Sequence, residues 1–293
     1  MSLSVLQTVA KTDIRLSPYP HIIIRDALPA ALCEQLVAQY PALDVLGVDP
    51  ARNNVRWSYP EKQVRGNPAI PGVWRDVIGY HASRAFYDEF LDLFATAIMR
   101  LYPGLYPEER ALRDLRAGVR EIDDFGQADI LLDAQISGNT PVTRARSVKP
   151  NHIDSHRKLF TGLLYLRRDE DDSTGGDLEI RRFRKDCTGK RRMGCYDGVY
   201  VDDRHTERIA TVPYAKNVLI MFINSLESLH GVTVRQVTPH CRLFMNIVGE
   251  VNTPLFAVPR TFATHLKKLR RQVRKRAIRL AGAEYLDPYK DGY

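Results

Sequence analysis

The residues of this 293-residue chain with the clearest chemical potential are two histidines and one aspartate that could share a metal ion. His152 and Asp154 are two positions apart, and on an extended backbone such residues project their side chains to the same side. A third ligand must come from a distant strand, and His230 is the candidate. Two histidines and one carboxylate on one face are typical of non-haem Fe(II) sites with positions open for a chelating cosubstrate and O2.

Short strand-like segments must position these residues. From residue 128 the sequence changes to apolar runs separated by turn signals, at residues 130–137, 160–166, 177–183, 209–212, 217–224 and 242–250. Many short strands without intervening helices favour an all-β sandwich or barrel over a parallel α/β sheet. The first 120 residues differ, because residues 29–40 and 83–101 carry apolar residues at helical spacing after a short strand at 21–24.

The order of these features carries a family resemblance, which covers about residues 128–250. After the His152-x-Asp154 pair come a strand ending in Tyr165, a Gly175-Gly176 strand opening, a buried strand, a distal histidine and an arginine at the start of the last strand. This order resembles the 2-oxoglutarate- and Fe(II)-dependent dioxygenases, particularly their prolyl-hydroxylase-like branch. The resemblance implies a mainly β fold with flanking helices around a double-stranded β-helix core, of the jelly-roll or cupin-like kind.

The resemblance also implies a set of roles. His152, Asp154 and His230 would hold Fe(II), 2-oxoglutarate would chelate the iron as cosubstrate, and O2 would take the last open position. Arg242 would pair with the distal carboxylate of 2-oxoglutarate, for which a bidentate, permanently charged guanidinium is well suited. Tyr165 would hydrogen-bond the same carboxylate.

Two further residues are candidates for lining the cosubstrate pocket, and one arginine is a rival. Thr161 lies four positions before Tyr165 on the same face of its strand, and Gln135 lies on the strand before the iron motif. Arg235 competes with Arg242, because Arg242 follows the distal histidine at a slightly longer distance than is usual in the family. Arg242 is preferred, since the apolar strand 243–248 continues directly from it.

The chain is expected to form one integrated catalytic domain with three parts. Residues 1–120 would be a helical region packed on the core, and residues 121–255 the β-helix core. Residues 256–293 would form a basic C-terminal helix and tail. Within the core, the polar residues 184–208 are too long for a tight connection, and we interpret them as either a substrate-selecting lid or a plain surface excursion.

The net charge of +8 belongs mostly to one segment. Residues 260–279 contain nine basic and no acidic residues, which leaves 34 basic against 35 acidic residues in the remainder. A helix at 260–280 would either dock through an apolar stripe or contact an anionic membrane, nucleic acid or an acidic partner. Because the basic charge does not surround the barrel, a role in DNA repair is not expected.

Composition and motifs together favour a cytoplasmic enzyme. Apolar residues at 44% and charged residues at 27% are typical of a globular protein and exclude disordered and fibrous classes. The four cysteines lack Cys-x-x-Cys spacing and are too sparse for a disulfide scaffold or a thiolate zinc site, so they are expected to be reduced and structural. The predicted activity is hydroxylation of a C–H bond in a small polar metabolite or sugar-like substrate of a biosynthetic pathway. The alternatives are a peptidyl-prolyl or other protein hydroxylase, and a non-catalytic cupin-like binding protein.

Overall fold

The structure is a computed structural model that describes residues 2–257, so the basic helix predicted at 260–280 lies outside the described residues. The helices are α1 (Ala30–Ala38), α2 (Glu61–Gly66), α3 (Gly72–His81), α4 (Arg84–Leu101), α5 (Glu109–Arg113) and α6 (Gly189–Gly194), with short 3-10 turns at Lys11–Asp13 and Asp203–His205. The strands are β1 (His21–Arg25), β2 (Arg56–Pro60), β3 (Ala117–Val119), β4 (Ile130–Asn139), β5 (Lys158–Tyr165), β6 (Leu178–Phe183), β7 (Tyr196–Asp197), β8 (Tyr200–Val201), β9 (Thr206–Val212), β10 (Val218–Ile223), β11 (His230–Val232) and β12 (Arg242–Val251).

The strands of the core form two facing sheets, and β7 pairs with β8 as a separate two-stranded sheet. The larger has the order β1-β10-β5-β12-β4-β2, with β3 beside β4, and the smaller has the order β11-β6-β9. Every pairing is antiparallel except that of β3 with β4. This arrangement confirms the predicted double-stranded β-helix core with flanking helices.

The larger sheet has one face toward the helices and one toward the smaller sheet. On β4, Leu132, Ala134 and Ile136 belong to the same buried cluster as residues of α3 and α4. In that cluster the rings of Phe90 and Phe160 lie 4.1 Å apart between centroids. Helix α4 is amphipathic and begins where the sequence indicates, because the Ser83 hydroxyl accepts from the Phe86 amide. Among the described residues, no helix is long and apolar enough to cross a membrane.

The inner face of the larger sheet is apolar at one side and polar at the other. Residues of β5 and β10 pack there against β6 and β9, but no residue of β4 or β2 belongs to this apolar cluster within the described residues. The inward positions of β4 are instead all polar between residues 133 and 139, namely Asp133, Gln135, Ser137 and Asn139. A strand with this alternation of apolar outward and polar inward residues is suited to line a site for a polar ligand.

The N-terminal 120 residues supply strands as well as the predicted helices. Strands β1 and β2 lie at the two ends of the strand order of the larger sheet, and β3 pairs with β4. The short strand predicted at residues 21–24 is present as β1. Strand β2 was not predicted, although Trp57 and Tyr59 alternate with Arg56 and Ser58 as in a half-buried strand.

Helix α3 ends in a buried histidine whose protonation should destabilise the fold. His81 is fully buried; its Nδ1 lies 2.7 Å from the Val77 carbonyl oxygen, and its Nε2 accepts from the Val5 amide at 3.2 Å. Burial lowers the pKa of His81 to about 4. In the unfolded chain the pKa of this histidine is near its ordinary value of about 6.5. As the pH falls, the unfolded chain therefore takes up a proton on His81 before the folded chain does.

We expect the stabilising contribution of neutral His81 to be present above pH 6.5 and to be lost progressively as the pH falls toward 4. The loss should reach about 2 kcal/mol at pH 5, since each pH unit in this window corresponds to about 1.4 kcal/mol. Urea unfolding of the wild type and of His81→Gln at pH 7 and pH 5 measures it, with His240→Gln as the control. If His81→Gln keeps the full pH dependence of the wild type, another group is responsible.

Candidate functional site

The three residues His152, Asp154 and His230 lie together between the two sheets. Their ligand atoms are all within 4.8 Å of one another, and all three side chains are buried. His230 is the first residue of β11, whereas His152 and Asp154 lie in the extended segment that precedes β5. The structure thus brings together the trio that the sequence predicted.

Backbone hydrogen bonds set the separation of the two histidines. The His152 amide donates to the His230 carbonyl oxygen at 2.8 Å, and the His230 amide donates to the His152 carbonyl oxygen at 2.9 Å. Such a reciprocal pair is one rung of an antiparallel ladder, so the two imidazoles are neighbours on the same side of it. Their ring centroids are 4.2 Å apart.

Each imidazole is oriented by the backbone two residues before it. Nδ1 of His152 lies 2.8 Å from the Pro150 carbonyl oxygen, and Nδ1 of His230 lies 2.8 Å from the Ser228 carbonyl oxygen. A carbonyl oxygen only accepts, so Nδ1 carries the proton in both rings and Nε2 keeps its lone pair. Burial lowers the pKa of both, that of His230 to about 4, which keeps them neutral as metal binding requires.

The aspartate is held ionised by a hydroxyl and two ammonium groups. Thr161 Oγ1 donates to Asp154 Oδ2 at 2.7 Å, while Lys149 Nζ lies 3.6 Å from Oδ1 and Lys158 Nζ lies 3.5 Å from Oδ2. Burial raises the pKa of Asp154, but Lys158 and Lys149 outweigh it and hold this pKa well below its usual range. The sequence analysis did not single out Lys149 or Lys158.

Arg242 lies on the inner face at the start of β12 with its polar atoms pointing into the fold. Its Nη2 donates to the Tyr165 hydroxyl at 2.9 Å, its Nε to the Gly176 carbonyl oxygen at 2.7 Å, and its Nη1 to Asn139 Oδ1 at 3.3 Å. The turn that presents this carbonyl needs glycine, because Gly175 and Gly176 have φ of +78° and +83°. A Cβ on Gly175 would also overlap the Val234 carbonyl oxygen.

The rival Arg235 has different surroundings. It is fully buried, and its guanidinium donates to Asn54 Oδ1 at 2.9 Å, to the Thr140 carbonyl oxygen at 3.1 Å and to the His240 carbonyl oxygen at 2.9 Å. These partners tie the loop after β11 to the end of β4 and to the segment before β2. The hydrogen bonds of Arg235 therefore hold these segments together. Arg242, in contrast, donates to Tyr165, the tyrosine that the sequence analysis expected beside it.

The remaining predicted candidates lie on the inner face at different depths. Thr161 donates to the aspartate of the trio, so its hydroxyl orients that carboxylate and is already engaged. Gln135 accepts from Asn246 Nδ2 at 2.8 Å and donates to Asp133 Oδ2 at 2.6 Å. Asn246 Oδ1 is buried and has no hydrogen-bond partner among the described residues. It can therefore accept a hydrogen bond from a ligand at this end of the polar inner face.

A second arginine beside this surface was missed because it comes from β2. In the strand register Arg56 and Arg242 both lie opposite Asn139, so these three side chains form one row across β2, β4 and β12. The Arg56 guanidinium lies 5.4 Å from the centre of the Phe244 ring and makes no hydrogen bond or ion pair with any other described residue. Only the pairing of β2 with β4 reveals this neighbour, and β2 was not predicted from the sequence.

Comparison with known proteins finds solved structures of low sequence identity to this chain. No protein-family model matches the chain, and no curated protein matches it. Among solved structures, a Pseudomonas putida prolyl-4-hydroxylase is 16% identical and covers 83% of this chain and 98% of its own, with a TM-score of 0.44. A prolyl 4-hydroxylase from Phytophthora capsici is 14% identical, with coverages of 93% and 74% and a TM-score of 0.46.

HygX from Streptomyces hygroscopicus, solved with nickel and 2-oxoglutarate bound, is 14% identical, with coverages of 79% and 83% and a TM-score of 0.38. These proteins belong to the group that the sequence resembles. Because the identities are below 25% and the TM-scores below 0.5, the function of this chain has to be inferred from its own side chains.

Proposed function

We propose that this chain is a 2-oxoglutarate- and Fe(II)-dependent oxygenase that hydroxylates a C–H bond of a small polar substrate. The observation that carries this proposal is the trio of His152, Asp154 and His230, whose ligand atoms lie within 4.8 Å of one another and whose two Nδ1 atoms are engaged by backbone carbonyls. The overall reaction would convert substrate, 2-oxoglutarate and O2 into hydroxylated substrate, succinate and CO2.

The donor set fits iron. Two neutral imidazoles and one carboxylate are the ligand types of non-haem Fe(II) oxygenase sites, and the set leaves positions for a cosubstrate. The three residues would hold the ion, and when bound the iron supplies the redox chemistry with O2. The protein's part is to fix the ligands: the two backbone carbonyls orient the imidazoles and Thr161 orients the carboxylate.

Arg242 and Tyr165 would bind the distal carboxylate of 2-oxoglutarate. The guanidinium and the phenol hydroxyl are already hydrogen-bonded to each other and are buried, so a carboxylate placed there would be shielded from water. Gln135 and Asn246 would offer polar contacts further along the same face.

The surroundings of the site favour a small substrate that carries an anionic group. Asp154 is the carboxylate that faces Lys149 and Lys158, and an iron ion would occupy it. Arg242 would be taken by 2-oxoglutarate. Arg56 then remains exposed at the edge of the polar surface, next to an aromatic ring and without an ion pair among the described residues. Excess positive charge in a pocket attracts anionic ligands and orients them.

A test of this substrate class needs no knowledge of the substrate. We expect inorganic phosphate to bind to protein loaded with nickel and 2-oxoglutarate, and Arg56→Gln to weaken that binding about tenfold, as for one lost charge-assisted hydrogen bond. Isothermal titration calorimetry measures the affinity. Arg25→Gln, at the opposite edge strand of the same sheet, is the control. Equal phosphate affinity in Arg56→Gln and the wild type would remove the anionic group from the proposal but leave the oxygenase assignment intact.

The oxygenase assignment itself is tested by substrate-independent decarboxylation. We expect the protein with Fe(II) and O2 to convert 2-oxoglutarate slowly to succinate, which chromatography detects. A protein that binds Fe(II) and 2-oxoglutarate without forming succinate would be a cupin-like binding protein. Faster conversion with a proline-containing peptide than with anionic small molecules would favour a protein hydroxylase.

A further inference from the structure

The insertion at residues 184–208 contains a second group of metal-ligating side chains, apart from the iron trio. The ligand atoms of Cys187, Cys195 and His205 all lie within 4.8 Å of one another. The two sulfur atoms are 3.0 Å apart, and Cys187 is only 4% exposed. The sequence spacing of the three residues gave no indication of this, because the cysteines lack a Cys-x-x-Cys arrangement.

Local folding brings the three residues together. Helix α6 lies between the two cysteines in sequence, and Cys195 follows directly after its last residue. The helical turn brings Cys195 back toward Cys187. The amide of Arg184 donates to the His205 carbonyl oxygen at 3.0 Å, and that of Cys187 donates to the Arg184 carbonyl oxygen at 2.9 Å. The backbone of the cluster is thus held by hydrogen bonds that do not involve the two sulfur atoms or the imidazole.

We propose that Cys187, Cys195 and His205 bind a zinc ion. Two sulfur donors and one imidazole nitrogen are soft to intermediate ligands, a set that favours zinc over calcium, magnesium or manganese. The thiols would release their protons on binding. His205 Nε2 at present accepts from Arg204 Nε at 3.1 Å in an exposed contact, so the metal would take that lone pair in place of the arginine.

The fourth ligand of this zinc would be water from a neighbouring cavity. A cavity of about 440 Å³ has Cys195 and His205 in its wall, so the coordination sphere can open toward solvent. Pro150 and Asn151, which precede the first iron ligand, also line this cavity. Three protein ligands and one water are the coordination typical of catalytic zinc sites, in which the fourth position stays open.

The zinc would hold the insertion against the iron-binding segment. The Val201 amide donates to the Asn151 carbonyl oxygen at 3.0 Å, and the Ile153 amide donates to the Val199 carbonyl oxygen at 2.9 Å. The insertion is therefore paired with the backbone on both sides of His152. A metal between Cys187, Cys195 and His205 would cross-link the two ends of the insertion to each other and so stabilise this pairing.

A disulfide between Cys187 and Cys195 is the competing use of the same sulfur atoms. It would need an oxidant and would leave His205 without a role, whereas zinc uses all three donors. The two possibilities give different masses: a disulfide lowers the mass of the denatured, unreduced chain by two hydrogens, and zinc binding leaves both thiols open to alkylation once the metal is chelated.

The experiment uses the full chain with the iron site disabled by Asp154→Ala. We expect plasma mass spectrometry to find about one zinc per chain in this background, and none after Cys187→Ser or His205→Ala is added. Cys33→Ser, a buried thiol on α1, is the matched control and should retain the metal. Cobalt(II) in the same background should give a thiolate-to-cobalt absorption band that Cys187→Ser abolishes.

Two results would overturn the proposal. One is the absence of both zinc and the cobalt band in the Asp154→Ala chain when circular dichroism shows that it is folded. The other is a Cys187–Cys195 disulfide in protein purified without added oxidant. Since the iron site is disabled throughout, neither result depends on the oxygenase assignment.

Discussion

Asp154→Ala is expected to abolish Fe(II) binding and, with it, succinate formation from 2-oxoglutarate. The substitution removes the only anionic ligand of the trio and leaves Lys149 and Lys158 near the vacant position without their counter-ion. Two neutral imidazoles beside two ammonium groups would repel a divalent cation. Because changes in groups that merely support a ligand cost about 10- to 100-fold, loss of a ligand should cost at least about 100-fold.

Thr161→Val provides a graded comparison for this result. The substitution leaves the carboxylate in place and removes only the hydroxyl that donates to it at 2.7 Å. We expect a loss of about 10- to 100-fold in Fe(II) affinity, between the wild type and Asp154→Ala. Anaerobic Fe(II) titration and succinate assays measure both variants. Full activity in Asp154→Ala would show that the carboxylate is not a ligand and would remove the basis of the oxygenase assignment.

Arg242→Gln is expected to weaken 2-oxoglutarate binding by at least about 30-fold. The guanidinium is buried beside Tyr165, and truncating one partner of a buried charge pair costs about 2 to 5 kcal/mol. Tyr165→Phe removes a single neutral donor, so it should produce a smaller loss. Arg242→Lys keeps the charge but not the planar fork, and it should fall between the wild type and Arg242→Gln.

Arg235→Gln separates binding from folding. This arginine has three hydrogen bonds to buried oxygen atoms, so its substitution should lower the melting temperature while leaving the 2-oxoglutarate affinity of the folded fraction nearly unchanged. Calorimetric titration of 2-oxoglutarate into nickel-loaded protein, together with thermal unfolding, distinguishes the two effects. A large loss of affinity in Arg235→Gln with none in Arg242→Gln would transfer the cosubstrate role to Arg235.

The residues that could be predicted from sequence are those whose geometry is local. On an extended backbone the spacing of His152 and Asp154 places both side chains on the same side. The helical spacing of apolar residues in 83–101 predicted the bounds of α4 to within one residue. Tyr165 and Arg242 were proposed from the family resemblance, and the structure joins them by a hydrogen bond. The roles of these residues in binding iron and cosubstrate remain predictions.

The residues that were missed depend on contacts between distant segments. Arg56 joins the row of Asn139 and Arg242 only because β2 pairs with β4, and no pattern in residues 56–60 announces that pairing. The cluster of Cys187, Cys195 and His205 depends on the turn made by α6. Tertiary packing sets the register between strands that are far apart in sequence, and it also sets how a polar insertion folds. Neither can be read from the composition of the chain or from the spacing of its apolar residues.

The backbone rung between His152 and His230 has a consequence for metal selection. Two amide-to-carbonyl hydrogen bonds set the separation of the two imidazoles, so these donors come together without a metal, and a donor set of two imidazoles and one carboxylate suits several divalent metals. Affinity would then follow the general order in which Co(II), Ni(II) and Cu(II) bind more tightly than Fe(II). The metal found in the purified protein should accordingly track the metals supplied in the growth medium, and activity should depend on cellular iron supply as much as on the fold.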